Sequence, residues 1–268
     1  MSRPARLAAS LASALTLLVA GLSGCGTAPT PTVPAATPAP STTTRTADPT
    51  SAKSAVRATA TDVCTGVSGC RRVATIDVDG DARADQVGVL GDGPASGGSI
   101  TVRVRTATGH TAQSTGRNVY WYTSPFFGAA PLDGRAGAEI LVGDTAGAHT
   151  QQFRVLTYRK GKLVTLAPPP YVRRSAAPDR STARWLVDGS YSFSYGIYRS
   201  VSASGVTLTL KSAVRNSSGR GHIGHATSYR WRDGGWVEVS AKTVRYPTDA
   251  SVAGLGGWHV RGLPLFSL

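Results

Sequence analysis

The chain has 268 residues, a net charge of +14 and three cysteines. Its basic residues stand singly or in small groups such as Arg71-Arg72, Arg103/Arg105, Arg159-Lys160/Lys162 and Arg173-Arg174, without the aromatic-plus-glycine signature of an RNA-binding surface, so nucleic acid is not expected as a partner. Such a positive surface favours anionic neighbours, and beyond residue 60 no apolar run is long enough to span a bilayer.

In chain order, Arg3 and Arg6 precede an uncharged apolar run from Leu7 to Gly21, the pattern of a targeting segment too short for a permanent membrane helix. Leu22-Ser23-Gly24-Cys25 follows, and it resembles the lipobox of bacterial lipoproteins. The resemblance implies cleavage between Gly24 and Cys25 and a diacylglyceryl group on the Cys25 thiol. Residues 1–24 are then the signal peptide, and the expected location is extracytoplasmic, lipid-anchored to the cell membrane through Cys25. Residues 25–60 are rich in Pro, Thr, Ala and Ser, with prolines at 29, 31, 34, 38, 40 and 49 and no aromatic residue. This composition cannot bury enough apolar surface to offset its ordering entropy. It predicts an extended tether of roughly 3 Å per residue, suited to reaching through a cell wall. The partners left open by charge and location are an anionic envelope polymer or a protein.

Residues 61–268 are long enough for one domain with a real core, or for two small ones. With Cys25 lipidated, Cys64 and Cys70 remain, and two cysteines this close in an oxidising compartment predict a local disulfide. Strand periodicity follows. Ser99–Thr106 alternates apolar and polar residues, and Gln152–Tyr158 with Leu163–Leu166 reads as a hairpin around Lys160-Gly161. Gly205–Leu210 is another alternating run, and Thr227–Trp231 with Trp236–Val239 forms a second hairpin around Asp233-Gly234. No helical stripe of ten residues occurs. The expected class is all-β, with repeated antiparallel hairpins or four-stranded sheets in a partial or small β-propeller-like arrangement. A β-sandwich or an open meander is the alternative.

An internal repeat supports that expectation. Asp-Gly pairs recur at Asp79, Asp133 and Asp188, spaced 54 and then 55 residues, as in stacked or radial β architectures. Asp79–Val87 aligns with Asp133–Leu141, whereas the third copy shares only the Asp-Gly pair. The first copy carries the sharpest motif of the chain, Asp77-Val78-Asp79-Gly80-Asp81-Ala82-Arg83-Ala84-Asp85. Alternate aspartates can converge on one cation when Gly80 lets the chain turn, and hard oxygen donors in this number suit Ca²⁺. The flanks read as strands, and Gly88 stands where an EF-hand needs a glutamate. A D-x-D-G-D-x-x-x-D loop between strands resembles the calcium loops of FG-GAP/VCBS repeats, the units of integrin-alpha-type propellers. The resemblance covers about residues 73 to 166. It implies Asp77, Asp79, Asp81 and Asp85 as side-chain ligands, Arg83 as a carbonyl ligand, and a structural Ca²⁺. In the second copy Pro131 and Arg135 replace the first and third acids, which predicts a metal-free loop with Arg135 bridging Asp133 and Glu139.

His222-Ile223-Gly224-His225 spells a tetrapeptide of class I aminoacyl-tRNA synthetases, but no nucleotide-binding α/β pattern surrounds it, and the match is taken as chance. No nucleophile–base grouping or Gly-x-Ser-x-Gly elbow is found. The aromatics Tyr120, Trp121, Tyr122, Phe126 and Phe127, and Trp185, Tyr191, Phe193, Tyr195 and Tyr198, are expected to fill the core first and to form a ligand platform second. The expectation for function is a calcium-stabilised extracytoplasmic binding or adhesion domain and not an enzyme. The alternative is a hydrolase of cell-wall glycan or peptide.

Overall fold

The computed structural model describes residues 61–91, 98–118, 121, 124–171 and 184–266. The signal segment, Cys25, the tether, Tyr120, Tyr122, Arg173 and Arg174 lie outside the described residues.

Four strands open the domain: β1 (Arg71–Ile76), β2 (Asp85–Leu90), β3 (Ser99–Arg105) and β4 (Thr111–Arg117) form an antiparallel sheet in that order. Along β3, Ile100, Val102 and Val104 are buried and their neighbours are not, the period-two burial of a strand with one covered face. Ahead of β1, the sulfurs of Cys64 and Cys70 stand at bonding distance, with Cα atoms 5.3 Å apart. Both lie over Gly88 of β2, where an added Cβ would come within 3.1 Å of either sulfur.

The same four-strand plan is repeated by β5 (Phe126–Ala130), β6 (Glu139–Ala146), β7 (Thr150–Arg159) and β8 (Lys162–Thr165). Here, however, β7 is shared. Its second half pairs with β8, from Leu156↔Thr165 to Arg159↔Lys162. Its first half pairs with β9 (Trp185–Gly189), from Thr150↔Asp188 to Phe153↔Trp185. Through β9 the sheet runs on into β10 (Phe193–Ser202), β11 (Gly205–Arg215), β12 (His222–Arg232) and β13 (Gly235–Tyr246), while β14 (Gly257–His259) lies parallel to β10. The result is all-β: a four-stranded and a ten-stranded sheet, antiparallel apart from β14. No ring of blades closes among the described residues, because β9 takes the edge of β7 and carries the sheet onward. Packed open sheets are what form.

Both expected hairpins are present with two-residue turns. Lys160 and Gly161 have φ of 49° and 78°, and Asp233 and Gly234 have 50° and 84°. Positive φ at both central positions is the type I′ geometry, whose twist matches that of the flanking strands.

Two cores result. Ile140, Val142 and Leu156 turn one face of β6 and β7 towards Val87, Ile100, Val102 and Val104 of the first sheet. The alternate residues Leu141, Phe153 and Val155 face a second core with Trp121, Trp185, Ile197, Leu208, Tyr229 and Trp258. Strand β6 is therefore covered on both faces, and seven of its eight residues are buried. This also decides the aromatics: Trp121 and Trp185 are core, Tyr195 is 4% exposed, and Tyr191 stands outside the core at 65% exposure.

Candidate metal centre and its metal-free counterpart

The loop from Asp77 to Ala84 joins β1 to β2, and the loop from Pro131 to Ala138 joins β5 to β6. Both fold by the same bonds, 54 residues apart. Val78 N–H donates to Asp85 Oδ2 (2.8 Å) and Leu132 N–H to Glu139 Oε2 (2.6 Å). Asp81 N–H donates to Asp79 Oδ1 (3.1 Å) and Arg135 N–H to Asp133 Oδ1 (2.8 Å). Gly80 and Gly134 both take left-handed φ, 86° and 78°. The third Asp-Gly pair keeps one of these features, Ser190 N–H on Asp188 Oδ1 (2.8 Å), but Gly189 lacks a positive φ and the pair closes β9. It is an Asx-turn rather than a third loop.

The two loops lie against each other. Ala138 N–H donates to the Asp77 carbonyl (2.9 Å). A Cβ on Gly80 would fall 2.7 Å from Ala136 Cβ, and one on Gly137 would fall 2.3 Å from the Val78 carbonyl oxygen. Glycine at 80 and 137 is thus required both by φ and by the approach of one backbone to the other.

In the first loop Asp77, Asp79 and Asp85 can each present an oxygen within 4.8 Å of the other two. Asp85 is fully buried, with its carboxylate held by the N–H groups of Val78, Asp79 (3.1 Å) and Ala107 (2.8 Å). Asp77 accepts from Gly80 (2.7 Å) and Ala82 (3.0 Å). Burial raises the Asp79 carboxyl above its usual range, opposed by the Asp81 N–H and reinforced by the charges of Asp85, Asp81 and Asp77. A cation among them would reverse that repulsion, and a set of hard carboxylate oxygens fits Ca²⁺. Asp81 is exposed, stands outside the converging trio and accepts from Arg83 N–H (2.8 Å). The Arg83 guanidinium reaches the Ala107 carbonyl (3.3 Å).

In the second loop the positive charge is covalent. Arg159, at the end of β7, places Nη2 2.5 Å from Asp133 and 3.4 Å from Glu139. Arg135 donates to Asp133 only through its backbone, so the bridging role expected of it belongs to Arg159. Glu139 is 1% exposed and also accepts from Thr157 Oγ1 (2.9 Å). Burial first, then the charge of Asp133, raises its carboxyl to about 7, against the pull of Leu132 N–H, Thr157 and Arg159. Such proton affinity suits an acid catalyst, but Asp133 and Glu139 are both buried and closed off by Arg159. The sequence hides this role because Arg159 is distant from the motif. The signal lies in the paired hairpins: Gln86 pairs with Arg105 as Ile140 does with Leu156, and three residues on from Arg105 and Leu156 stand neutral Thr108 and basic Arg159.

His222 and His225 lie three apart on β12, an odd spacing that sends their side chains to opposite faces and rules out a shared metal. His222 is buried, with Nε2 3.2 Å from the Tyr191 carbonyl. Asp144 is buried in an ion pair with Arg184, whose Nη2 lies 3.3 Å from Oδ1. His149 lines a shallow depression with Gln151 and Phe266. Comparison with protein-family models, with curated proteins and with solved structures finds no match to the chain.

Proposed function

We propose that the chain is an extracytoplasmic lipoprotein, anchored to the membrane through Cys25, whose all-β domain is stabilised by calcium and binds a partner outside the cell. The observation that carries the calcium reading is the contrast between two loops of one design. In one, Arg159 neutralises the acids. In the other, Asp77, Asp79 and Asp85 converge with no counterpart to Arg159 among the described residues, and a diffusible divalent cation takes that place. Asp77, Asp79 and Asp85 hold the ion, and its chemistry is to neutralise them and tie β1 to β2. Binding rather than catalysis is favoured because Glu139, whose carboxyl is raised to about 7, is buried beside Asp133 and closed off by Arg159.

A thermal melt of the whole chain in EDTA and in rising Ca²⁺ tests this. Extracellular calcium sites have Kd of about 0.1–1 mM. At about 10 mM Ca²⁺ such a site adds roughly 1.4–2.7 kcal/mol by mass action, a rise of several degrees for a domain this size. Asp79→Ala abolishes the rise. A midpoint indifferent to Ca²⁺, or a response unchanged in Asp79→Ala, removes calcium from this loop.

A further inference from the structure

Apart from the paired loops, the described part of the domain holds a cavity of about 110 Å³ at the edge of its aromatic core. Its apolar walls include Tyr171, Trp185, Ile197 and Leu210, with Pro168 and Pro169. Besides the Tyr171 hydroxyl, three polar groups face it. Arg184 is engaged by Asp144, so its charge is already met. The Gln152 amide has no hydrogen bond to any described side chain or backbone group. The third is Tyr195, 96% buried by its 4% exposure. Its ring packs edge-on to Tyr171 at 4.8 Å, and its hydroxyl has no partner among the described residues. Neighbouring tyrosines do find one: Tyr198 donates to the Leu255 carbonyl at 3.0 Å and Tyr229 to the Pro170 carbonyl at 2.9 Å. The Tyr195 hydroxyl is left open to the cavity it lines, where an entering ligand can bond it.

We propose that this cavity is a ligand site for an uncharged single-ring aromatic compound bearing one hydrogen-bonding substituent, of which a phenol is the simplest. Size points to a single ring, since about 110 Å³ is on the scale of protein cavities that take one benzene-sized molecule. Wall chemistry sets the ring type. A sugar of the same size would bury several hydroxyls against the aromatic and aliphatic walls of Trp185, Ile197 and Leu210, and each unmatched one would oppose binding. An anion or a cation has no free countercharge, because Arg184 and Asp144 satisfy each other. An aromatic ring instead meets the faces and edges of Trp185, Tyr171 and Tyr195, while its substituent meets the Tyr195 hydroxyl and the Gln152 amide. A cavity walled by aromatic and aliphatic side chains, with a few convergent polar groups, is a common form of small-molecule site. The proposal deepens the partner-binding reading above, and it stands independently of the calcium loop.

The test is isothermal titration calorimetry of the whole chain with p-cresol, repeated with N-acetylglucosamine, in EDTA and in saturating Ca²⁺. For so small a ligand, p-cresol is expected to bind with Kd of roughly 0.1–1 mM, and N-acetylglucosamine not at all. Tyr195→Phe keeps the ring and removes the hydroxyl, and is expected to weaken p-cresol about fivefold, the worth of one hydrogen bond. Leu210→Trp fills the cavity and abolishes binding. Should Leu210→Trp not fold, Tyr195→Phe and Gln152→Ala decide the matter. No heat up to about 10 mM p-cresol, two orders above the tighter expected Kd, overturns the site. So does p-cresol affinity unchanged in both Tyr195→Phe and Gln152→Ala, and preference for the sugar overturns the ligand class. A domain that fails the calcium melt but binds p-cresol refutes the first reading alone.

Discussion

Replacing Glu139 by glutamine isolates the electrostatics of the second loop. Glu139 is buried beside Asp133, and the one guanidinium they share lies nearer to Asp133, at 2.5 Å against 3.4 Å. Its folded-state carboxyl is raised from 4.5 to about 7. A carboxyl raised on folding gives stability that is fully present below pH 4.5, where both states are protonated. That stability is lost as pH rises through 7, because the unfolded chain gives up its proton first. The shift corresponds to about 3 kcal/mol between pH 4.5 and pH 8. Glutamine keeps the oxygen that accepts from Leu132 N–H and cannot ionise. Near pH 5 the variant is expected within about 1 kcal/mol of the parent, the loss coming from its amide facing Arg159. At pH 8 the order reverses and the variant is the more stable by about 2–3 kcal/mol. Guanidinium midpoints followed by tryptophan fluorescence at pH 5, 6, 7 and 8, all in EDTA, measure this. Parallel curves for parent and variant across that range would mean that Arg159 holds Glu139 ionised, and the account of this loop would be wrong.

Four further variants have defined outcomes, three from the geometry of the domain and one from the lipobox resemblance. Asp85→Ala strands the N–H groups of Val78, Asp79 and Ala107, a loss of about 3 kcal/mol or more even in EDTA. Asp81→Ala, on an exposed side chain, stays within about 1 kcal/mol in the same denaturant assay; equal losses would deny Asp85 its organising role. Changing Cys64 and Cys70 together to serine opens a very short loop and lowers stability by about 2 kcal/mol, read as the gap between the midpoints of the two proteins. Cys25→Ser moves the protein from the membrane fraction to the soluble fraction, and unaltered retention there refutes lipid anchoring.

What is legible in the sequence is what local chemistry dictates. The strands at Ser99–Arg105 and Thr150–Arg159 show because each turns alternate residues into a core. The hairpins at Lys160-Gly161 and Asp233-Gly234 show because few residue pairs tolerate two successive positive φ values. The first two Asp-Gly loops are recognisable as one device repeated. Hidden is everything set by distant pairing. Nothing near β7 announces that its edge is divided between β8 and β9, so ring closure reads as no less plausible than open sheets. Arg159 lies 26 residues from Asp133, outside any motif window, whereas Arg135, inside it, attracts the assignment. The cavity has the same character, since Gln152, Trp185, Tyr195 and Leu210 come from four different strands.

The two loops also explain each other. Each gathers acids that fold the backbone by accepting its N–H groups, and each therefore needs positive charge to be stable. A guanidinium carried on β7 supplies it permanently and at fixed stoichiometry, so the second loop needs no ion from the medium. A cation taken from solution supplies it only above a threshold concentration. Because Ala138 N–H bonds to the Asp77 carbonyl and Gly137 abuts Val78, the loop anchored by Arg159 forms a standing wall for the first. Under the proposed calcium reading, that wall would hold the first loop part-formed when calcium is low, so that the ion would have little chain left to order and its binding energy would go into stability rather than into folding the site. On this argument Arg159→Met weakens calcium affinity at the first loop although it touches none of Asp77, Asp79 and Asp85. A Kd for Ca²⁺ unchanged in that variant, if it remains folded, would show the loops to be energetically separate despite their contact.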